Sequence, residues 1–464
     1  MEYKSVYFLG IGGIGMSAIA RYFLHEGVRV GGYDLTETQL TRQLTTEGAD
    51  IHYADDPDRI DEAFRHPDHT LVVYTPAVPH DLKELVFFRE NGFTIEKRSE
   101  MLGHLSEGKF VMAVAGTHGK TTTTTLTAWL NACCCPEGGC AFLGGISKNF
   151  GSNLVLGEGD RFAVEADEFD RSFLRLHPDV AVVTSADADH LDIYGTHEAV
   201  KEAFSQFIGQ IRPGGALILK KGVDVAVENP SIHRFSYALS DPQADFHAEN
   251  IRPMGNGHFL FDIVTPEGPL ADCTLGIPGE VNIENAVAAV ALFRTATTLR
   301  KEPMDNEKIR EALARFSGVR RRFELYINTP ESVYMDDYAH HPRELSAALA
   351  SLRGMFPGRK ITAVFQPHLY TRTRDLYKEF AAALSMADRV ILIPIYPARE
   401  EPIPGVTSEM IGNELTVPWS LTERDTLADT LAAMDTDVVV TFGAGNIENC
   451  CPQIAARLRE KYGL

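Results

Sequence analysis

The sequence predicts an α/β protein of three domains, on three observations. Short runs rich in Val, Ile, Leu and Phe recur along the chain, each ending in Gly, Asp or Pro and followed by a helical segment. They are residues 6–9, 71–74, 111–115, 162–166, 180–184, 361–365, 390–393 and 438–442. Continuous apolar runs alternating with helices read as parallel strands covered on both faces. A length of 464 residues, at roughly 100 to 200 residues per domain, gives about three domains. Finally, Gly-rich or polar strand ends recur in three separate stretches, and in open α/β sheets ligands bind at such ends.

Two boundaries divide the chain. One falls near Leu105–Lys109, where an LSEGK turn precedes a fresh strand and a Gly-rich loop; the other follows the basic GVRRRF segment, Gly318–Phe323. The domains expected are 1–107, 108–327 and 328–464. No fixed-period repeat or low-complexity stretch interrupts them.

Composition excludes several function classes. Hydrophobic residues make up 44% and charged residues 23%, with a net charge of −20, an ordinary globular balance. A nucleic-acid coat or basic membrane-surface protein needs a cationic face and is not expected, although one local phosphate pocket needs only a few Lys, Arg and backbone N–H groups. The seven Cys (Cys133, Cys134, Cys135, Cys140, Cys273, Cys450 and Cys451) are odd in number and partly adjacent. That is neither a disulfide framework nor the gapped ligand spacing of a zinc site. No stretch approaches the roughly 20 apolar residues of a membrane span, and MEYKSVYFLG runs straight into a strand. A cytoplasmic protein without membrane insertion is expected.

The first motif, Gly10-Ile11-Gly12-Gly13-Ile14-Gly15, lies between a strand and the helical segment 16–25; a second strand, 28–33, ends in Asp34. Glycines in this setting let the backbone approach a diphosphate at a helix N-terminus, with the acid placed for a ribose. A nicotinamide cofactor, another nucleotide diphosphate and a merely tight turn all satisfy the pattern.

The second motif is more specific. The run 111–115 leads into Gly116-Thr117-His118-Gly119-Lys120-Thr121-Thr122-Thr123-Thr124 and then a helix. Its Gly-Lys-Thr core is a P-loop: backbone N–H groups surround a β-phosphate, Lys120 neutralises β/γ oxygens, and Thr121 offers a hydroxyl to Mg²⁺. Val114 stands five residues before Gly119 where the usual spacing has Gly, so the loop is a shorter variant. Four Thr are poor helix formers, and their presence calls for a cause.

Two later strand ends carry acids. Glu165-Ala166-Asp167-Glu168 stands where a Walker-B carboxylate would hold Mg²⁺. Asp187-Ala188-Asp189-His190-Leu191-Asp192 places a His among carboxylates, able to ligate a second metal or move a proton. In the last domain, Asp336-Asp337-Tyr338-Ala339-His340-His341-Pro342, Gln366-Pro367-His368-Leu369-Tyr370-Thr371-Arg372 and Thr441-Phe442-Gly443-Ala444-Gly445-Asn446 each end a strand. His and Arg there could bind a carboxylate and Asp an ammonium, the two charges of an amino acid.

Taken in order, FLGIGGIGMS, AGTHGKTTTT, EADE, DADH, PGEVNIENA, GVRRRF, DDYAHHP and FQPHLYTRTRD resemble the Mur ligases over essentially the whole chain. The resemblance implies a Rossmann-like N-terminal domain for a UDP-sugar, a central P-loop ATPase-like domain, and a C-terminal Rossmann-like parallel sheet for an amino acid. It implies ATP and Mg²⁺ as cofactors, UDP-N-acetylmuramate and L-alanine as substrates, and an acyl-phosphate route to an amide in cytoplasmic peptidoglycan precursor synthesis. A relative joining a peptide to the same sugar nucleotide, or a nicotinamide oxidoreductase using the first loop alone, are the rival readings.

By matching position, the resemblance gives Lys120, Glu165, His190, His340 and Arg372 to catalysis. Gly116, Thr117, His118, Gly119, Lys120, Thr121, Thr122, Asn282, Asn285, Arg321 and Arg322 go to the nucleotide, and Thr121, Glu165 and His190 to metal. Gly10, Gly12, Gly13, Gly15 and Asp34 go to the sugar nucleotide, and Tyr338, His340, His368 and Arg372 to the amino acid or intermediate. The chain departs from its relatives at Val281 (often His), Leu369 (Arg in FQPHRY), Ser185 (usually Asn) and Asp187 (frequently Glu).

Overall fold

The computed structural model describes residues 3–188, 190–398 and 400–464. Three sheets organise the chain, of five, ten and six strands. Contacts divide it into two compact units: 1–249 with 262–273 and 284–317, and 250–261 with 274–283 and 318–464.

In the first unit, the N-terminal sheet runs Asp50–His52, Arg29–Tyr33, Ser5–Leu9, Thr70–Tyr74, Thr94–Lys97, every neighbour parallel. The first strand is central and wholly buried. The strand order reverses there, which opens a crevice beyond its carboxyl end. Gly10 begins the glycine loop at that end, and helix Ile14–His25 follows it.

The ten-stranded sheet has Phe110–Ala115 between Val180–Val183 and Arg161–Ala166. All three are parallel, in a register that sets Ala115 beside both Ala166 and Val183. That register brings the P-loop, the Glu165 segment and the Ser185 segment out at one edge. Two expectations change here. Cys140–Phe142 and Leu154–Val155 pair antiparallel, and the sheet continues through Ala216–Lys220, His233–Ala238, Phe246–Gly255, His258–Val264 and Leu270–Thr274. Phe246–Gly255 is mostly exposed, so it lacks the apolar run by which a doubly covered strand is recognised.

The Thr-rich segment is the helix Lys120–Cys134, with Thr121 through Thr125 and Thr127 buried. The Thr125 and Thr127 hydroxyls donate to the carbonyls of Thr121 and Thr123, at 2.7 and 2.8 Å. Two of these buried side chains return their hydroxyl to the preceding turn, whereas Thr124 Oγ1 is buried with no hydrogen-bond partner among the described residues.

In the second unit the sheet order is Glu324–Asn328, Val333–Asp337, Val438–Phe442, Ile361–Phe365, Arg389–Leu392, Trp419–Leu421. The first pair is antiparallel, because a four-residue connection can only return the chain on itself. The others are parallel. Phe442 is in register with both Asp337 and Phe365, so the three polar strand ends expected to act together leave the sheet side by side.

Candidate functional site

The glycine loop closes on itself. The Gly10 amide donates to Tyr33 O at 2.8 Å and the Gly13 amide to Gly10 O at 3.2 Å. Asp34 Oδ2 accepts from the Gly12 amide at 2.8 Å, and Oδ1 from Thr36 at 3.3 Å. Asp34 therefore braces the loop's shape, whereas a dinucleotide reading would turn that acid toward a ribose. Gly15 lies in the first helical turn, against the Arg98 guanidinium.

At the P-loop, Gly119 has φ +78°, the left-handed region that glycine occupies without strain. Asn285 Oδ1 would stand 2.7 Å from any Cβ placed there, so glycine is required twice over. Lys120 Nζ donates to Glu168 Oε1 and Oε2 at 2.9 and 2.7 Å. Burial works against the Lys120 ammonium, but Glu168, Asp167 and Glu165 outweigh it and hold its pKa above the ordinary lysine value. Thr121 Oγ1 donates to Glu165 Oε1 at 3.2 Å, and Glu165 Oε2 accepts from the Gly144 amide at 3.1 Å. Thr122 is buried in the same first helical turn.

Ser185 explains its own departure from the relatives. Its hydroxyl accepts from the His118 amide at 3.0 Å and bonds Thr117 Oγ1 at 2.8 Å, so a short side chain ties the loop to the neighbouring strand end. Asp187 joins the same network through Thr117 Oγ1 at 3.3 Å and the His118 ring at 3.6 Å. His190 takes φ +51°; its Nε2 lies 3.9 Å from Glu168 Oε1 and its ring stands edge-on to Phe169 at 5.2 Å. Asp189 lies outside the described residues.

The expected metal residues suit Mg²⁺. Thr121 and Glu165 put two hard oxygen donors in contact, while no group of three or more His, Cys, Asp or Glu assembles among the described residues. Mg²⁺ takes one or two protein oxygens plus substrate phosphates, not a cage of protein ligands. His190 adds an imidazole, a softer donor than either oxygen.

Asn285 and Asn282 both lie on the helix Glu280–Leu299. Asn285 Oδ1 reaches Thr123 Oγ1 at 3.5 Å, whereas Asn282 is buried and donates to Pro278 O at 2.6 Å. Val281 is exposed.

In the second unit, Arg321 is taken up internally. It donates to Asp336 Oδ2 at 3.0 Å, to Gly445 O at 3.3 Å and to Gly443 O. Its guanidinium therefore braces two strand ends, a different use from the nucleotide contact expected of it. Burial raises Asp336 to about 6 in spite of Arg321. Arg321 and Arg322 both sit over the Tyr338 ring, at 5.1 and 5.4 Å.

The expected amino-acid residues do gather. The His340 ring meets Tyr338 at 5.2 Å and His368 at 6.0 Å, and His368 stacks on Tyr396 at 5.7 Å. Arg372 has a buried Nη1 with no hydrogen-bond partner among the described residues, an orphan donor that a carboxylate would satisfy. Burial lowers the His340 pKa, Glu344 opposes this, and Arg372 adds to it. The ring is thereby kept neutral and competent to accept a proton. Leu369, at the usual Arg position, holds φ +74°; its amide donates to Tyr396 O at 3.0 Å.

Sequence reasoning passed over Glu344 and Tyr396, and took Glu168 only as one of several strand-end carboxylates without seeing its pairing with Lys120. Glu168 had a signal in its place two residues after a strand end beside the P-loop. Tyr396 had none, because its stacking partner is 28 positions away. Burial raises all three thiols of the Cys133–Cys135 run, Cys134 to about 12, which lowers their thiolate fraction.

Comparison with known proteins agrees with this geometry. Three family models match: the Mur ligase family catalytic domain over residues 5–110, the Mur ligase middle domain over 114–293 and the Mur ligase glutamate ligase domain over 321–445. The UDP-N-acetylmuramate–L-alanine ligase of Phocaeicola vulgatus is 51% identical over 464 residues, covering 99% of both chains. That of Parabacteroides distasonis is 51% identical, covering 96% of this chain and 95% of its own. Among solved structures, the UDP-N-acetylmuramate–alanine ligase of Thermotoga maritima superposes with a TM-score of 0.81 at 28% identity, over 98% of this chain and 99% of that one. A murein peptide ligase of Psychrobacter arcticus shares the fold, with a TM-score of 0.70 at 22% identity over 98% of each chain. With every sheet matched by a family model and full-length relatives half identical, this chain belongs to the Mur ligase family, the ATP-dependent ligases that form amide bonds.

Proposed function

We propose that the protein joins L-alanine to the carboxylate of UDP-N-acetylmuramate with consumption of ATP, in cytoplasmic synthesis of peptidoglycan precursors. The observation that carries this reading is the 51% identity over 99% of the chain to an alanine-adding ligase. It is supported by an intact Lys120–Glu168 and Thr121–Glu165 arrangement at the P-loop. A peptide-joining ligase shares the fold at lower identity. The Asp34 bond to the loop's own amide speaks against a nicotinamide enzyme.

A carboxylate is a poor electrophile toward an amine, so the γ-phosphoryl group of ATP first passes to the muramoyl carboxylate, giving an acyl phosphate and ADP. The amine of alanine attacks the acyl carbon, and the tetrahedral adduct collapses to amide and inorganic phosphate. The Gly116–Thr122 amides and the Lys120 ammonium hold the triphosphate and offset charge as it shifts to the leaving oxygen. Phosphate oxygens compete with Glu168 for Lys120. Thr121 and Glu165 would hold Mg²⁺, with His190 as ligand to a second; bound there, the metal neutralises phosphate oxygens. Asn285 packs the nucleotide side of the loop. Gly10, Gly12, Gly13 and Gly15 present backbone to the sugar nucleotide, and Arg372 with His368 takes the carboxylate of alanine. Neutral His340 is the group suited to accept the proton shed by the amine.

Phosphate release from ATP and Mg²⁺ tests the reading, with UDP-N-acetylmuramate and Ala, Ser or Gly supplied singly. Release requiring both the sugar nucleotide and alanine is expected; release without the sugar nucleotide would sink it. His190→Ala is expected to raise the Mg²⁺ requirement, and an unchanged Mg²⁺ titration would remove His190 from the metal site.

A further inference from the structure

The helix Arg98–Leu105 serves neither role described so far, yet it bridges them within the first unit. On one side the helix and the residue before it, Lys97, are fastened to the segment 167–175 around Glu168 by three charge pairs. These are Lys97–Asp170 at 3.3 Å, Arg98–Asp167 at 3.4 Å and Glu100–Arg175 at 3.0 Å. Gly103 permits the close packing, since a Cβ there would stand 2.8 Å from Arg175 O. On the other side, the Arg98 guanidinium fills the space in which a side chain on Gly15 would begin. A Cβ at that position would lie 2.4 Å from Nη1 and 3.1 Å from Cδ. The last glycine of the loop is thus explained by an arginine 83 positions along the chain.

The electrostatics of this placement favour an anion at the loop. The guanidinium sits against the first turn of Ile14–His25, a twelve-residue helix whose N-terminus is the positive end of its dipole and disfavours a cation. Its bond to Asp167, at 3.4 Å, is longer than the roughly 2.7–2.9 Å of a strong charge-assisted bond. Asp167 is also shared, since its Oδ1 accepts from the Phe169 amide at 3.1 Å. An oxyanion at the loop would be stabilised by both the helix N-terminus and a planar guanidinium that can bind two oxygens at once.

We infer that Arg98 is a binding residue for the diphosphate of the sugar nucleotide, contacting it on the Gly15 side while Asp167 steadies the guanidinium from behind. This rests on the glycine loop being the sugar-nucleotide site. Because Asp167 immediately precedes the acid that holds Lys120, the same side chain places the sugar nucleotide next to the phosphoryl-transfer carboxylates.

Calorimetric binding of UDP and of UDP-N-acetylmuramate to the full chain tests it, with Arg98→Ala, Arg98→Lys and Arg175→Ala compared with the parent protein. Arg98→Ala is expected to weaken both ligands at least tenfold while ATP binding stays within twofold. Arg98→Lys should fall between, keeping the charge without the fork. Arg175→Ala breaks a neighbouring fastening without touching the loop and should bind as the parent does. Undiminished UDP binding by Arg98→Ala overturns the inference, as does an equal loss in Arg175→Ala, which would make the helix a structural bracket only. A melting temperature for each variant separates lost binding from lost folding, and Arg98→Lys keeps the test decisive if Arg98→Ala does not fold. Should the parent protein bind neither UDP nor UDP-N-acetylmuramate, the loop's assignment itself fails, a result distinct from a defect confined to Arg98.

Discussion

Lys120 and Glu168 form a two-pronged buried ion pair, with Nζ 2.9 and 2.7 Å from the carboxylate oxygens and the Glu168 side chain 1% exposed. Each neutralises a charge that could not stand there alone. Breaking such a pair on one side typically costs about 3–5 kcal/mol. Glu168→Gln is expected to lower unfolding free energy by about that much in urea titration. Lys120→Ala is expected to abolish turnover while leaving UDP-N-acetylmuramate binding intact; near-normal activity would remove Lys120 from phosphoryl transfer.

Ser185 substitutes for the longer residue of its relatives by reaching both Thr117 and the His118 amide. Ser185→Ala should leave that amide unpaired and the loop looser, at a cost of about 1–2 kcal/mol. The expected readout is a KM for ATP raised about tenfold with the KM for alanine unchanged. Equal KM values in the variant and the parent would show the contact to be idle.

Gly144 gives Glu165 its room. A Cβ there would lie 2.2 Å from Glu165 Oε2, so Gly144→Ala must push that carboxylate aside. A steeper Mg²⁺ requirement is expected, with little loss of melting temperature, because the displaced group is a side-chain carboxylate and not backbone. An unaltered Mg²⁺ titration would argue that Glu165 holds no metal.

The pH dependence of turnover follows from His340. Burial chiefly, with Arg372, lowers its pKa, and Glu344 only partly offsets them. The ring takes up a proton only below the ordinary histidine range, so the acid limb of kcat for amide formation is expected there. Glu344→Gln removes the opposing carboxylate and should move that limb to still lower pH. A shift toward higher pH would count against His340.

Stability should respond to pH through a second buried cluster. Tyr7 donates to Glu84 Oε2 at 2.8 Å, and His52 lies 3.4 Å from Oε1. Burial raises Glu84 from 4.5 to about 7, so the folded state keeps a proton that the unfolded chain gives up. Its contribution is complete below pH 4.5 and is lost as pH rises to about 7. His52, lowered chiefly by burial, acts oppositely, costing stability as pH falls below its ordinary range. The difference in unfolding free energy between the parent and Glu84→Gln isolates the carboxyl. It should change steadily between pH 4.5 and 7, and a flat difference would refute the assignment.

Much of this protein was written locally. The glycine loop, the P-loop and the central strands of each sheet were legible because each is a contiguous run: apolar residues covered on both faces, then glycines where backbone must come close to a ligand. The family was legible because eight such segments follow one order. The sequence by itself thus determined the α/β class and the family. Tertiary structure alone decided which groups meet. Glu168 against Lys120, Arg98 in the Cβ space of Gly15, and Tyr396 on His368 join residues 28 to 83 positions apart, set by strand register and helix packing that no local pattern encodes. It also decided that Arg321 braces Asp336, Gly443 and Gly445. A guanidinium surrounded by a carboxylate and carbonyls on its own sheet satisfies its donors there, and motif position alone cannot reveal that.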